Sequence, residues 1–460
     1  VDANDRGKGT PADGSKRRRL GERLRGEFAW GRLYRHSSYL KSALWTVPLV
    51  SIVLVLALAP AVHLVDNWLQ WRPRGLQPAG ASAMYQTVIT LALSFLVFTF
   101  GSLLVAIQVA GGQLTSQIIA TVLLRNNVVR YSVGLFVFAL VFAVGALNRQ
   151  ASTVNELVAF VVAVLGVACI AVFLFLIDYA ARLLRPVNVL TNVGESGVRV
   201  IKSVYPTPAS ALPPEVVVPD AREWHADTRV VEHRGTSSIL LAADLPSLVA
   251  MACRHDGVIE VVPQVGDFVA LDEPMFVLHG GARAIDDDEV RSAVAFGPER
   301  TLEEDPMFAL RIIVDIALKA LSTAINDPTT AVLALDQLHR LLRLVGLRQL
   351  RGEVMVDGSG APRVIFRTPN WEDFVHVACC EIRANGAGSV QVARRMRAML
   401  VDLRSTLPEH RHATLEQELG LLDRAIQRRF AEVEDLALAR IPDSQGLGGS
   451  SDSRLEKDRP

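Results

Sequence analysis

Four groups of residues in this sequence have types and spacings that chemistry could use. His376, Cys379 and Cys380 stand at i, i+3 and i+4 of a helical stretch and could share a metal, but a closed site needs further ligands from elsewhere. Trp371, Phe374, Val375, Ala378 and Ile382 make that same stretch a core face, so core packing is the expectation. The run Asp286-Asp287-Asp288-Glu289 concentrates carboxylates but lacks the glycine and the spaced ligands of a Ca²⁺ loop; it reads as a solvated acidic turn. The stretch Ser322-Thr323-Ala324-Ile325-Asn326-Asp327-Pro328-Thr329-Thr330-Ala331 has the grammar of a helix junction. Asp accepts hydrogen bonds from free first-turn amides, and Pro at the first helical position loses nothing. A ligand or partner site built on Asn326, Asp327 and Thr329 is the functional alternative to that capped junction.

The fourth group lies in an apolar segment. Ser94, Phe98, Ser102, Ala106 and Ala110 recur every four residues, with Gln108 beside them. The pattern runs on through Gly111, Gly112, Gln113, Thr115, Ser116 and Gln117, polar but uncharged. Two readings stand: a polar lining for a permeation path, or tight helix packing through small residues.

Sites for catalysis are harder to find. No phosphate-binding glycine loop, dinucleotide fingerprint, zinc-protease helix or nucleophile elbow is present. Cys169, Cys253, Cys379 and Cys380 form no CxxC pair and no disulfide framework, which fits a reducing compartment. No nucleophile or base has an oriented partner that the sequence reveals, so a role other than enzyme is expected, with no cofactor and no metal.

Hydropathy determines the elements that carry these groups. The chain has 460 residues, a hydrophobic fraction of 50% and a mean hydropathy of +0.27. Its formal net charge is zero, which gives no electrostatic reason for a nucleic-acid partner. The apolar excess sits in residues 43–178 and predicts a four-helix transmembrane domain, with spans at about 43–65, 87–110, 131–147 and 157–177. None of the four contains Asp, Glu, Lys or Arg, which argues against a proton-driven pump. The first span starts too late and is too long for a cleavable signal peptide. Basic residues crowd the segment before span one, the loop between spans two and three (Arg125, Arg130) and the segment after span four (Arg182, Arg185, Arg199, Lys202). That places both termini in the cytoplasm of a bacterial cell, with the protein multi-pass in the inner membrane and the lipid bilayer as its first partner. The basic segment 1–42 reads as a topology signal in contact with headgroups.

Beyond the spans, residues 179–220 read as a helical extension past Pro186 and then a Pro-rich linker. Residues 221–300 read as a small β-rich module, with strands broken at Gly266-Asp267 and at Asp272-Glu273-Pro274. The hairpin resembles those of lipoyl- and biotinyl-type domains. Residues 203–318 hold no Lys, which excludes a swinging-arm carrier there. Residues 301–440 read as a helical cytoplasmic domain. Its helices are opened by Asp305-Pro306 and Asp327-Pro328, and a long last helix carries a coiled-coil-like seam from Leu415 to Leu436. Residues 441–460, rich in Gly, Ser and charge, are expected to be disordered.

The four-span half, the QVAGGQLTSQII stretch, the VGDFV hairpin and the INDPTTA junction occur in this order. Together they resemble the bacterial family of predicted membrane proteins catalogued as domain of unknown function 2254, over about residues 40 to 430. The resemblance implies a membrane protein with a cytosolic domain and supplies no activity, substrate or site residue. Ala106-Ile107-Gln108-Val109-Ala110-Gly111-Gly112 stands where that family's pattern has Ala-Leu-Gln-Leu-Ala-Ser-Ser. The fold expected is therefore membrane α-helical plus an α+β cytoplasmic domain. The function expected is an oligomeric channel or passive transporter, a homo-oligomer gated by its cytoplasmic part. The alternative is a membrane-anchored binding or scaffold protein.

Overall fold

The computed structural model describes residues 45–69, 77–113, 127–149, 156–183, 185–209, 228–350 and 354–448. The basic segment 1–42, most of the Pro-rich linker, Thr115 and Gln117 lie outside them, and of Gln113 only the backbone is described.

Four apolar helices form the first unit: α1 (Thr46–Leu69), α2 (Pro78–Gln113), α3 (Asn127–Asn148) and α4 (Glu156–Leu183). Among the described residues α2, α3 and α4 are long and apolar enough to cross a membrane. α1 is apolar from Thr46 to Val62 and carries Pro60 inside. The hydroxyls of Ser51, Thr87, Thr90 and Thr99 each donate to the carbonyl four residues back. That satisfies them within one helix, as an apolar surrounding demands. Helix α3 is the centre of the bundle and packs on the other three. Close approach is set by small residues: a β-carbon on Gly134 would lie 2.6 Å from Val47, and one on Gly166 2.9 Å from Val88. The third span, expected from Tyr131, starts at Asn127 and buries Arg130 in its first turn. The Arg130 guanidinium donates to Thr46 Oγ1 at 2.6 Å, which tethers α3 to α1.

The helix expected to continue past Pro186 does not. α4 ends at Leu183, Arg185 is extended (φ −68°, ψ 130°), and α5 (Pro186–Val204) begins with Pro at its first position. Proline lacks the amide a continuing helix would need and restricts the residue before it. Val189, Leu190, Val193 and Ile201 on α5 are buried against the helical domain.

The β-rich module begins with β1 (Thr228–Glu232), β2 (Ser238–Ala243), α6 (Leu245–Arg254), β3 (Gly257–Val261), β4 (Phe268–Val269) and β5 (Pro274–Gly280). A 3₁₀ turn (Gly281–Ala284), α7 (Asp287–Ser292) and β6 (Val294–Gly297) follow. The helical domain holds α8 (Pro306–Ala320), α9 (Pro328–Gly346), α10 (Trp371–Gly386), α11 (Val390–Thr406), α12 (His412–Arg429) and α13 (Val433–Ala439). Between α9 and α10 lie β7 (Val354–Val356) and β8 (Pro362–Phe366).

Three expectations are corrected. First, residues 301–440 are not helical throughout: the β7–β8 hairpin joins the module upstream. Its sheet runs β1-β5-β3-β8-β7, with β3 and β8 parallel and the other pairs antiparallel, beside a second sheet β4-β2-β6. Second, the long last helix is two. Phe430 is extended (φ −107°, ψ 122°) and α13 restarts after Glu432. Its seam residues Leu415, Leu422 and Ile426 are fully buried in the helical core, so that seam packs within the chain. Third, residues 441–448 are built onto the domain instead of being disordered. The fully buried Arg394 donates to Ile441 O and Gly448 O, and the Asp443 carboxylate accepts from the amides of Gln445, Gly446 and Gly448. Residues 449–460 lie outside the described residues.

One core unites α5 with α8 to α13. Leu103, Ala106 and Ile107 of α2 and Tyr179 of α4 pack against it, so the end of the apolar bundle is seated on the helical domain.

Candidate functional site

The small-residue face of α2 is divided by the fold. Ser102 and Ala106 turn inward, toward a groove between α2 and α4 that Val129 of α3 floors. Ser94, Gly101 and Gln108, seven residues apart, face outward and are exposed; a β-carbon on Gly101 would meet nothing within 4 Å. The candidate lining set therefore sits on two faces of one helix. Between the helices, two cores fill the space with side chains: one around Tyr85, Val88, Phe142 and Val162, the other around Val133, Phe136, Ala139 and Leu176.

The 322–331 junction has the geometry that its sequence predicts. Asp327 accepts from the Thr330 amide and from its hydroxyl, and Pro328 opens α9. Asn326 adopts a left-handed conformation (φ 48°), which asparagine tolerates better than most residues. Both Asp327 oxygens are occupied by the cap. Thr323, Ala324, Ile325, Asn326 and Thr329 are exposed and form the tip.

The two chemically suggestive clusters resolve into structure. Cys379 is fully buried, and burial pushes its thiol well above the ordinary value, whereas His376, one turn earlier on α10, is exposed. Among the described residues no group of three His, Cys, Asp or Glu converges as metal ligands would. The acidic run is held by arginines from three elements. Asp287 pairs with Arg229 at 2.5 Å and Arg291 at 3.1 Å, and Glu289 pairs with Arg254 at 2.5 Å.

Two constellations escaped sequence reasoning. His339 of α9 bonds Asp402 of α11 through Nε2 at 2.8 Å, while its Nδ1 faces Arg395 at 3.1 Å, and Arg395 pairs with Asp336 at 2.7 Å. A guanidinium only donates, so Nδ1 accepts and Nε2 carries the proton to Asp402. Burial lowers the His339 pKa against the Asp402 hydrogen bond that raises it. No local spacing announces this group, because Asp336 and His339 on α9 lie more than fifty residues from Arg395 and Asp402 on α11.

The second is the seam between the β module and the helical domain. Asp305 caps α8 by accepting from the Phe308 amide at 3.0 Å, and is 5% exposed. Its other oxygen has no hydrogen-bond partner and lies 3.8 Å from Arg300. Burial raises its pKa, opposed by the Phe308 amide and the Arg300 charge. Beside it, a cavity of about 60 Å³ is lined by Tyr205, Leu240, Gln264, Glu304, Asp305 and Thr368, among others. The cap was legible in Asp305-Pro306; its burial under the Gly266 turn was not.

Comparison with known proteins places this chain in context. The model of a family described as "Predicted membrane protein (DUF2254)" matches residues 41–402. An uncharacterized protein of Mycobacterium bovis and one of Mycobacterium tuberculosis are each 24% identical to it over 425 residues, covering 87% of this chain and 79% of theirs. No solved structure matches.

Proposed function

The chain belongs to the DUF2254 family of predicted membrane proteins, and from that premise we propose that it acts as an oligomeric channel or passive transporter whose helical domain assembles or gates the path. The observation that carries this reading is the outward row Ser94, Gly101 and Gln108 on α2. It presents small and polar surface in a membrane-crossing helix and is exposed among the described residues. Polar side chains facing hydrocarbon are costly, and a ring of such helices from several copies would turn them toward a shared axis. The packed interior of a single bundle supports a path between copies over one through it. In this reading α1 is the fourth span, both termini are cytoplasmic, and the membrane is the bacterial inner membrane. The contact of Leu103, Ala106 and Ile107 with the helical core supplies the mechanical link a gate would need.

The test is the oligomeric state of the detergent-solubilised full chain by native mass spectrometry, followed by ion flux into liposomes. A ring with α2 around its axis, and a flux altered by Gln108→Leu, are the expected results. A monomer with no flux would defeat the proposal.

One observation favours a second reading, a membrane-anchored binding protein. The exposed tip Thr323–Asn326 stands between the capped end of α8 and the Asp327 cap of α9, where a partner could reach it. Binding of cytoplasmic proteins that is lost on Ile325→Asp would favour it over the channel.

A further inference from the structure

The groove between α2 and α4 has a volume of about 170 Å³ and lies at the end of the bundle seated on the helical domain. Phe98, Thr99, Ser102, Leu103 and Ala106 form one wall; Phe173, Leu176, Ile177, Tyr179 and Ala180 form the other. Phe173 closes it toward the bundle centre, stacked on Phe95 at 4.1 Å and edge-on to Phe98 at 5.3 Å. Its mouth lies between Phe98 and Ile177, which are 53% and 45% exposed.

Its polar lining is already committed. Thr99 Oγ1 donates to Phe95 O at 2.6 Å, and Ser102 Oγ donates to Thr99 O at 3.0 Å. Water needs two to four polar partners to occupy a cavity, and these walls offer few. An apolar cavity of about 150 Å³ stays dry and takes up a hydrocarbon of benzene's size. Both walls belong to membrane-crossing helices, so the medium at the mouth is lipid.

We propose that this groove binds one acyl chain of a bilayer phospholipid, from the leaflet nearer the helical domain. Arg185, exposed beyond the end of α4, supplies a cation on the headgroup side of the groove, while Arg182 is engaged by Asp178 at 2.9 Å. Leu103, Ala106 and Tyr179 line the groove and also pack against the helical core, so the bound chain touches the residues that join the two units. The site belongs to one chain and does not depend on a pore between copies.

The experiment uses the full chain in lipid nanodiscs containing a phosphatidylcholine with a diazirine in one acyl chain. After irradiation, adducts are mapped by mass spectrometry. Adducts on Ser102, Ala106 and Leu176 are expected in several-fold excess over the outward α4 residues Val164, Val167 and Leu174. Ser102→Leu and Ala106→Ile, which fill the groove, should each lower the groove adducts several-fold and leave the outward ones unchanged; Ser102→Ala should not. The map of the unaltered protein stands by itself if a filling variant fails to fold. Adducts that follow exposure alone, or that ignore both filling variants, would overturn the proposal. So would crosslinks between two copies through these residues in place of lipid adducts.

Discussion

The carboxylate of Asp305 rests on Gly266: a β-carbon there would lie 2.7 Å from Asp305 Oδ2 and 3.3 Å from the Arg300 guanidinium carbon. Gly266 turns the chain before β4 with φ +97°, and Asp305 caps α8, a helix central to the helical domain. One turn of the β module and one helix cap are thus fitted to each other, and a side chain on Gly266 has neither the conformation nor the space it needs.

Gly266→Ala should therefore destabilise the folded chain. Positive φ strains alanine, and the capped Asp305 cannot retreat without losing the Phe308 amide. A cost of roughly 1–3 kcal/mol is expected from the strain, read as a lower melting temperature of the solubilised protein. An unchanged melt would show that the seam relaxes freely.

Asp305 itself carries a pH signature. Its folded pKa is raised, so the folded state holds this proton more tightly than the unfolded state. Stability from this group is present at acid pH and is lost as pH climbs through the ordinary carboxylate range toward the raised value. Asp305→Asn keeps an acceptor for the Phe308 amide and removes the buried charge. Its melting temperature at neutral pH should equal or exceed that of the unaltered chain, with the difference shrinking on acidification. Asp305→Ala, which loses the cap, should cost about 1 kcal/mol.

His339 predicts the opposite slope. Its folded pKa is lowered, mainly by burial, so its contribution is present above the ordinary histidine value and is lost as pH falls through the folded one. His339→Gln should flatten the melting curve's pH dependence below neutrality. A pH profile identical to that of the unaltered chain would show that His339 titrates alike in both states.

The loop 441–448 is held by Asp443 and Arg394, with Gln391 Nε2 also donating to Gly446 O at 2.7 Å. Asp443→Ala removes the acceptor for three backbone amides, and Arg394→Met removes the donor to two carbonyls. Either should open this segment to limited proteolysis near Gly446 while leaving the α2–α4 spans intact. Loss of a buried charged hydrogen-bond group costs about 1–3 kcal/mol or more, so Arg394→Met should also lower the melting temperature.

Much of the architecture was legible because its causes are local. Runs of apolar residues without charge mark α2, α3 and α4 wherever they stand in the chain. Asp followed by Pro writes the caps of α8 and α9 at Asp305 and Asp327, because side chain and amide are three residues apart. The family too was legible, since its motifs are contiguous strings. What the tertiary structure decided depends on partners distant in sequence. β8 pairs with β3 across more than a hundred residues, His339 meets Asp402, and Gly266 meets Asp305. The split of α2 into an outward row and a groove wall was decided in the same way. Helical periodicity states which residues share a face; the packing of α3 and α4 states which face is covered. Ser94 and Ser102 looked alike in the sequence, and only their neighbours set them on different sides of the helix.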